Sequence, residues 1–168
     1  MPFTKIDASN LGGTTLPALN GSALTNISAG KIGQVVSTAR STDTFTSSDS
    51  LVTTNHTATL TPTATSSKIL IILGVANAYI NSSNKDMRIS FYSSVGGATA
   101  SELISAGQVR DTVRTGFGGN HYLYSPNTTS AVVISTYFSR VNSGTGSVYY
   151  MNAASNTYAN LTLMEVLA

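Results

Sequence analysis

Cysteine is absent from this chain of 168 residues, and with it go disulfide staples, thiolate nucleophiles and thiolate metal ligands. Tryptophan is absent too, so the buried Trp and Cys pair that mark an immunoglobulin domain are both missing. Only 10% of residues carry charge, against roughly 25% in an ordinary soluble domain. The net charge is +2, and Lys5, Lys31, Lys68 and Lys85 are too scattered to make the basic stripe that tracks a phosphate backbone. Nucleic acid is therefore not an expected partner. Long apolar runs are also missing. The longest, Ile69 to Val75, falls far short of the ~20 residues of a spanning helix, and no membrane insertion is expected.

Groups that carry chemistry are just as sparse. The two histidines, His56 and His121, stand at no ligand spacing with other donors and read as loop or strand residues. The seven acids between Asp7 and Glu165 form no cluster, which speaks against the paired carboxylates of a glycosidase. Gly116-Phe117-Gly118-Gly119 lacks the Lys-Ser/Thr of a phosphate loop and reads as a connection. The expectation is a protein with no catalytic residue, no metal and no cofactor.

What the chain has instead is hydroxyl. Its 24 Ser and 24 Thr fill 48 of the 168 positions, so the surface is solubilised by hydroxyls and amides rather than by charge. Asn26, Asn55, Asn81, Asn127 and Asn160 each open an N-x-S/T triplet, a number that chance supplies at this Ser and Thr content. Met1 to Lys5 shows neither an apolar h-region nor a cleavage site, so synthesis is expected in the cytoplasm.

Composition and hydrophobic pattern change together across Ala29 to Ser37, dividing the chain into an arm, residues 1–30, and a β domain, residues 31–168. In the arm, Ile6-Asp7-Ala8-Ser9-Asn10-Leu11 and Leu19-Asn20-Gly21-Ser22-Ala23-Leu24 form a degenerate repeat. Gly12-Gly13, Pro17 and Gly21 break any helix. By composition the arm is a flexible tail. However, Ile6, Leu11, Leu16, Leu19, Leu24 and Ile27 recur as apolar anchors that need a surface to bury them, at ~1.5 to 3 kcal/mol each, and so mark a docking arm.

The β domain opens with the alternation of Ile32 to Ser37, a first strand, and Gly30 and Gly33 mark an expected hinge between arm and head. Thr38 to Ser50 reads as a polar connection with Phe45 as an apolar pin. Leu51 to Leu60 is extended up to Pro62, and Lys68 to Ile80 is the strongest strand signal. Its apolar half is unbroken, as in a strand covered on both faces. Asn81 to Asp86 is a turn; Met87, Ile89 and Phe91 then face the core from the next strand. Gly96 to Gly107 is ambiguous, with Ala100 to Ala106 able to make a short helical turn, while Val109 to Arg114 has the pattern of a solvent-facing strand and Gly116 to Asn120 of a loop. Three more strands, Ala131 to Phe138, Gly146 to Met151 and Tyr158 to Val166, bring the count to about eight. The expected fold is an all-β, antiparallel sandwich of jelly-roll type whose last strand pairs with Ile32 to Ser37, so that both ends of the domain converge.

Aromatic rings beside hydroxyls and amides fit either sugars or subunit interfaces. Tyr122, Tyr124, Tyr149 and Tyr150 are the candidate subunit or glycan contacts, and the adjacent Tyr149 and Tyr150 must present one ring to each face of their strand. Four blocks, LPALNGSALTNISAGKIGQVVS, TPTATSSKILI, YLYSPNTTSA and ANLTLMEV, resemble a β domain common at the C-termini of tail-fibre and other virion structural proteins of tailed bacteriophages. The blocks run in order from Leu16 to Val166. The resemblance implies a homotrimer located in the virion, with capsid or tail proteins as partners: a fibre, knob or decoration, or alternatively a tip that binds host surface glycans. It brings no catalytic residues. The chain lacks the shaft of a long fibre, which points to a short appendage.

Overall fold

Strands in which apolar side chains alternate with Ser and Thr have one dry face each and must bury it against another such face. The computed structural model, which describes residues 32–81, 86–110, 115–142, 145–151 and 158–167, achieves this with ten strands in two antiparallel sheets. They are β1 (Ile32–Arg40), β2 (Thr44–Thr46), β3 (Val52–Leu60), β4 (Lys68–Ile80), β5 (Asp86–Val95), β6 (Ser101–Arg110), β7 (Thr115–Tyr124), β8 (Val132–Val141), β9 (Val148–Met151) and β10 (Ala159–Val166). Among the described residues there is no helix. The expected arm, residues 1–30 with all six of its anchors, lies outside the described residues, as do 82–85 of the expected turn and 111–114.

Sheet 1 runs β1-β10-β4-β7, and sheet 2 runs β3-β8-β5-β6. The short β2 and β9 pair with each other and prolong sheet 1 along the lines of β1 and β10. A bulge after Val75 in β4 switches the alternation, so that Asn81 N–H donates to Ser147 O at 3.2 Å on the same edge where Ala76 N–H donates to Tyr158 O at 3.3 Å. Counting β1–β2 and β9–β10 as two interrupted strands reduces ten to eight. In that count the sheets read 1-8-3-6 and 2-7-4-5. The antiparallel pairs β1·β10, β3·β8, β4·β7 and β5·β6 are thus nested one inside the next, which is the jelly roll. The register Val36↔Leu163 and Ser37↔Thr162 joins the first strand to the last, as the sequence pattern predicts.

Between the sheets lies one apolar core. Ile69, Ile71, Leu73, Leu161 and Leu163 enter from sheet 1, while Leu60, Met87, Ile89, Phe91, Ile134 and Phe138 enter from sheet 2, all essentially without solvent contact. Met87, Ile89 and Phe91 face inward as expected from their period of two.

Three local expectations are corrected. Phe45 is no pin into the core: it sits in β2 with its ring 63% exposed on the outside of sheet 1. Ala100 to Ala106 belongs mostly to β6 rather than to a helical turn, because β5 offers an open edge whose ladder the segment completes, with two register shifts that hide its alternation. Gly116 to Asn120 is part of β7, not a loop; its pairing to β4 absorbs the glycines through two irregularities, with Gly119 at φ +87°.

Candidate interaction face

The polar groups inside the core centre on one hydrogen-bonded set around His56, while the buried Ser67 and Ser90 hydroxyls have no hydrogen-bond partner among the described residues. His56 in β3 crosses to sheet 1, with Nε2 3.0 Å from the Thr38 carbonyl and Nδ1 2.8 Å from the Tyr150 hydroxyl. A carbonyl only accepts, so Nε2 carries the proton and Nδ1 accepts from Tyr150. Burial lowers the His56 pKa from 6.5, opposed by the Thr38 bond and reinforced by the Arg40 charge. Burial also pushes the Tyr150 hydroxyl far up, against the Thr136 hydrogen bond. The neutral pair is locked in place and closed to solvent, so it serves architecture.

A second polar cluster ties the domain's two terminal strands together. Glu165 on β10 lies on the inward face with Ala159, Leu161 and Leu163, and its carboxylate is fully buried. Thr63, in the β3–β4 turn, donates to Oε1 through both N–H and hydroxyl at 2.6 Å, and Gln34 Nε2 on β1 donates to Oε2 at 3.1 Å. Burial alone would raise this carboxyl; the hydrogen bonds from Thr63 and Gln34 outweigh it and hold the pKa down to about 2. Gly33 makes room for it, since a Cβ there would lie 2.8 Å from Glu165 Oε2. Gly33 is thus part of β1 and of this clamp, with a packing role that the hinge expectation did not include.

The outsides of the two sheets differ. Sheet 2 presents the Arg88–Glu102 ion pair, Tyr92 stacked on Tyr137 at 4.0 Å between ring centroids, and Thr53, Thr57 and Thr59. A cleft of about 350 Å³ at one end is lined by Asp49, Arg88, Gln108, Ser139, Arg140 and their neighbours. Its Arg140 is already engaged, by Asp49 at 2.7 Å and the Gly146 carbonyl at 2.9 Å. This is an ordinary solvated face.

Sheet 1 is different. The registers Val35↔Met164, Met164↔Leu70 and Leu70↔Leu123 lay one apolar side chain from each of four strands in a single row across the outside. Val35 is 56% exposed and Leu123 46% exposed. On one side of it run Ser37, Thr162, Ile72 and His121, and on the other Ile32, Val166 and Lys68. At the far end Phe45, Tyr149 and Tyr79 form an aromatic row, with centroids 5.4 and 5.5 Å apart. Among the strand residues that these registers place on the outer face Lys68 is the charged one, and Asp43 lies exposed in the link between β1 and β2.

The four candidate tyrosines fall into three environments. Tyr149 is on the outer face of sheet 1, Tyr150 is buried against Phe138 and His56, and Tyr122 and Tyr124 are half-buried against the core. The structure therefore does not bring them together as one surface. Sequence reasoning missed the Val35–Met164–Leu70–Leu123 row and the buried carboxylate. The unbroken apolar run of β4 was the available signal for the first, since Leu70 and Ile72 alternate with core residues Ile69, Ile71 and Leu73. No protein-family model matches the chain, and no curated protein sequence matches it.

Proposed function

We propose that this chain is a non-enzymatic structural protein of a tailed-bacteriophage particle, a homotrimeric short fibre, knob or decoration. In this reading residues 31–168 are the head, and residues 1–30, through Ile6, Leu11, Leu16, Leu19, Leu24 and Ile27, dock it onto the capsid or tail. The observation that carries the reading is the charge-poor outer face of sheet 1, a surface suited to assembly rather than to solvent. The four sequence blocks behind the virion resemblance include part of β1, β4 and β7 and all of β10, and each block contributes one member of the row Val35, Leu70, Leu123 and Met164. The alternative, glycan recognition through Tyr122 and Tyr124, has less support, because both rings are partly taken up by the core.

Mass spectrometry of purified particles from cells that express the chain tests the reading. The chain is expected as a stoichiometric particle component, and full-length protein that never enters particles would overturn it. Deleting residues 1–30 is expected to leave a folded head that no longer incorporates.

A further inference from the structure

We infer that copies of this chain meet through the outer face of sheet 1, with the Val35–Met164–Leu70–Leu123 row and the Phe45–Tyr149–Tyr79 row buried between them. The inference rests on the self-association in the proposed function and adds the surface that makes it. Its first support is the pattern of β4. A central strand with an unbroken apolar run, as β4 has from Ile69 to Leu73, belongs to a sheet with both faces covered, yet within the chain the core covers only the side of Ile69, Ile71 and Leu73. Leu70 and Ile72 face outward and remain partly exposed.

The second support is charge. A face whose paired strand positions carry Lys68 as their one charge, with Asp43 in the link between β1 and β2, can pack against its copies while leaving few charges to be placed at the rim. Such a face offers a polyanion or an acidic membrane surface almost no electrostatic attraction. Hydroxyls between the apolar rows are already paired within the sheet, as Ser37 Oγ is with Thr162 Oγ1 at 2.9 Å, so they can be covered without loss.

The third support is size. Four strands at ~4.8 Å spacing, running from the level of Lys68 to that of Tyr79 at ~3.3 Å per residue, make a face of roughly 20 by 35 Å, or about 700 Å². A stable interface buries about 800 Å² per partner. The outside of sheet 2 carries the Tyr92–Tyr137 stack, but the Arg88–Glu102 pair and the Thr53, Thr57 and Thr59 hydroxyls break it up.

The test is light scattering on full-length protein, with Val35→Glu and Leu123→Lys as separate variants and Thr57→Glu on sheet 2 as the control. Both interface positions are about half exposed, and thermal melts followed by circular dichroism establish that each variant folds; either folded variant suffices. Wild type and T57E are expected at the same multiple of 17.4 kDa. V35E and L123K are expected to run as monomers at micromolar concentration, a weakening of at least about 100-fold from burying an unpaired charge in every contact. An oligomeric wild type whose mass is unchanged by V35E or L123K overturns the surface and leaves the oligomer standing. A monomeric wild type overturns both.

Discussion

Glu165 provides a quantitative test of how the domain is held closed. Its carboxyl titrates near 4.5 when solvated and at about 2 in the fold. A group whose folded pKa is depressed contributes its full stabilisation above the unfolded value and loses it as pH falls through the folded one. One proton taken up on unfolding gives a slope of at most about 1.4 kcal/mol per pH unit, so the interval from 4.5 to about 2 carries a ceiling of about 3 kcal/mol. For a domain of this size that corresponds to roughly 10 °C in Tm. Glu165→Gln keeps the shape, removes the titration and sets an amide N–H₂ against donors from Thr63 or Gln34. The expected result is a variant less stable than wild type at pH 7, with the gap narrowing between pH 5 and 2. Urea or thermal unfolding across that range measures it, and the difference between the two curves cancels every other acid in the chain. Parallel curves would refute the assignment of Glu165 as the buried, hydrogen-bonded anion.

Gly33→Ala should cost about 1–2 kcal/mol, because the new Cβ meets a carboxylate oxygen pinned at 2.8 Å. In a Glu165→Ala background the same change should cost less, because only the Leu167 methyl at 3.2 Å is left to give way, and a double-mutant cycle in urea measures that coupling. The lowered pKa of His56 works in the same pH direction as Glu165 but higher: its stabilisation is complete above about 6.5 and declines as pH falls toward the folded pKa, because the unfolded chain takes up the proton first. His56→Leu should flatten the stability curve just below pH 6.5 while costing about 1–3 kcal/mol at pH 7 through the stranded Tyr150 hydroxyl, read from the same melts.

Much of this fold can be read from period-two alternation. Met87, Ile89 and Phe91, or Leu161 and Leu163, assign their own face, and the resulting strands with their spacing suffice for a jelly roll. Alternation fails where the ladder slips. The shifts in β6 and the glycines of β7 break the period, and only the open edges of β5 and β4 make strands of them. Phe45 illustrates a second limit: hydrophobicity tells that a ring wants cover, not which side of the sheet provides it. Glu165 was legible in principle, since it shares parity with Ala159, Leu161 and Leu163, and a carboxylate at an inward position demands donors. Those donors come from Gln34 and Thr63, 131 and 102 residues away, and no local pattern points to them.

Nesting also sets a timetable for folding. The innermost pair, β5·β6, closes over the five residues 96–100, whereas Gln34 and Glu165 in the outermost pair are 131 residues apart, and the entropy of closure grows with the loop. The expected order winds the roll from its middle outward, with the Glu165 clamp formed after the rate-limiting step. A contact made that late leaves the speed of winding unchanged and slows unwinding. In stopped-flow kinetics E165Q should accelerate unfolding and refold at the wild-type rate, which makes the buried carboxylate a latch on the lifetime of the folded domain.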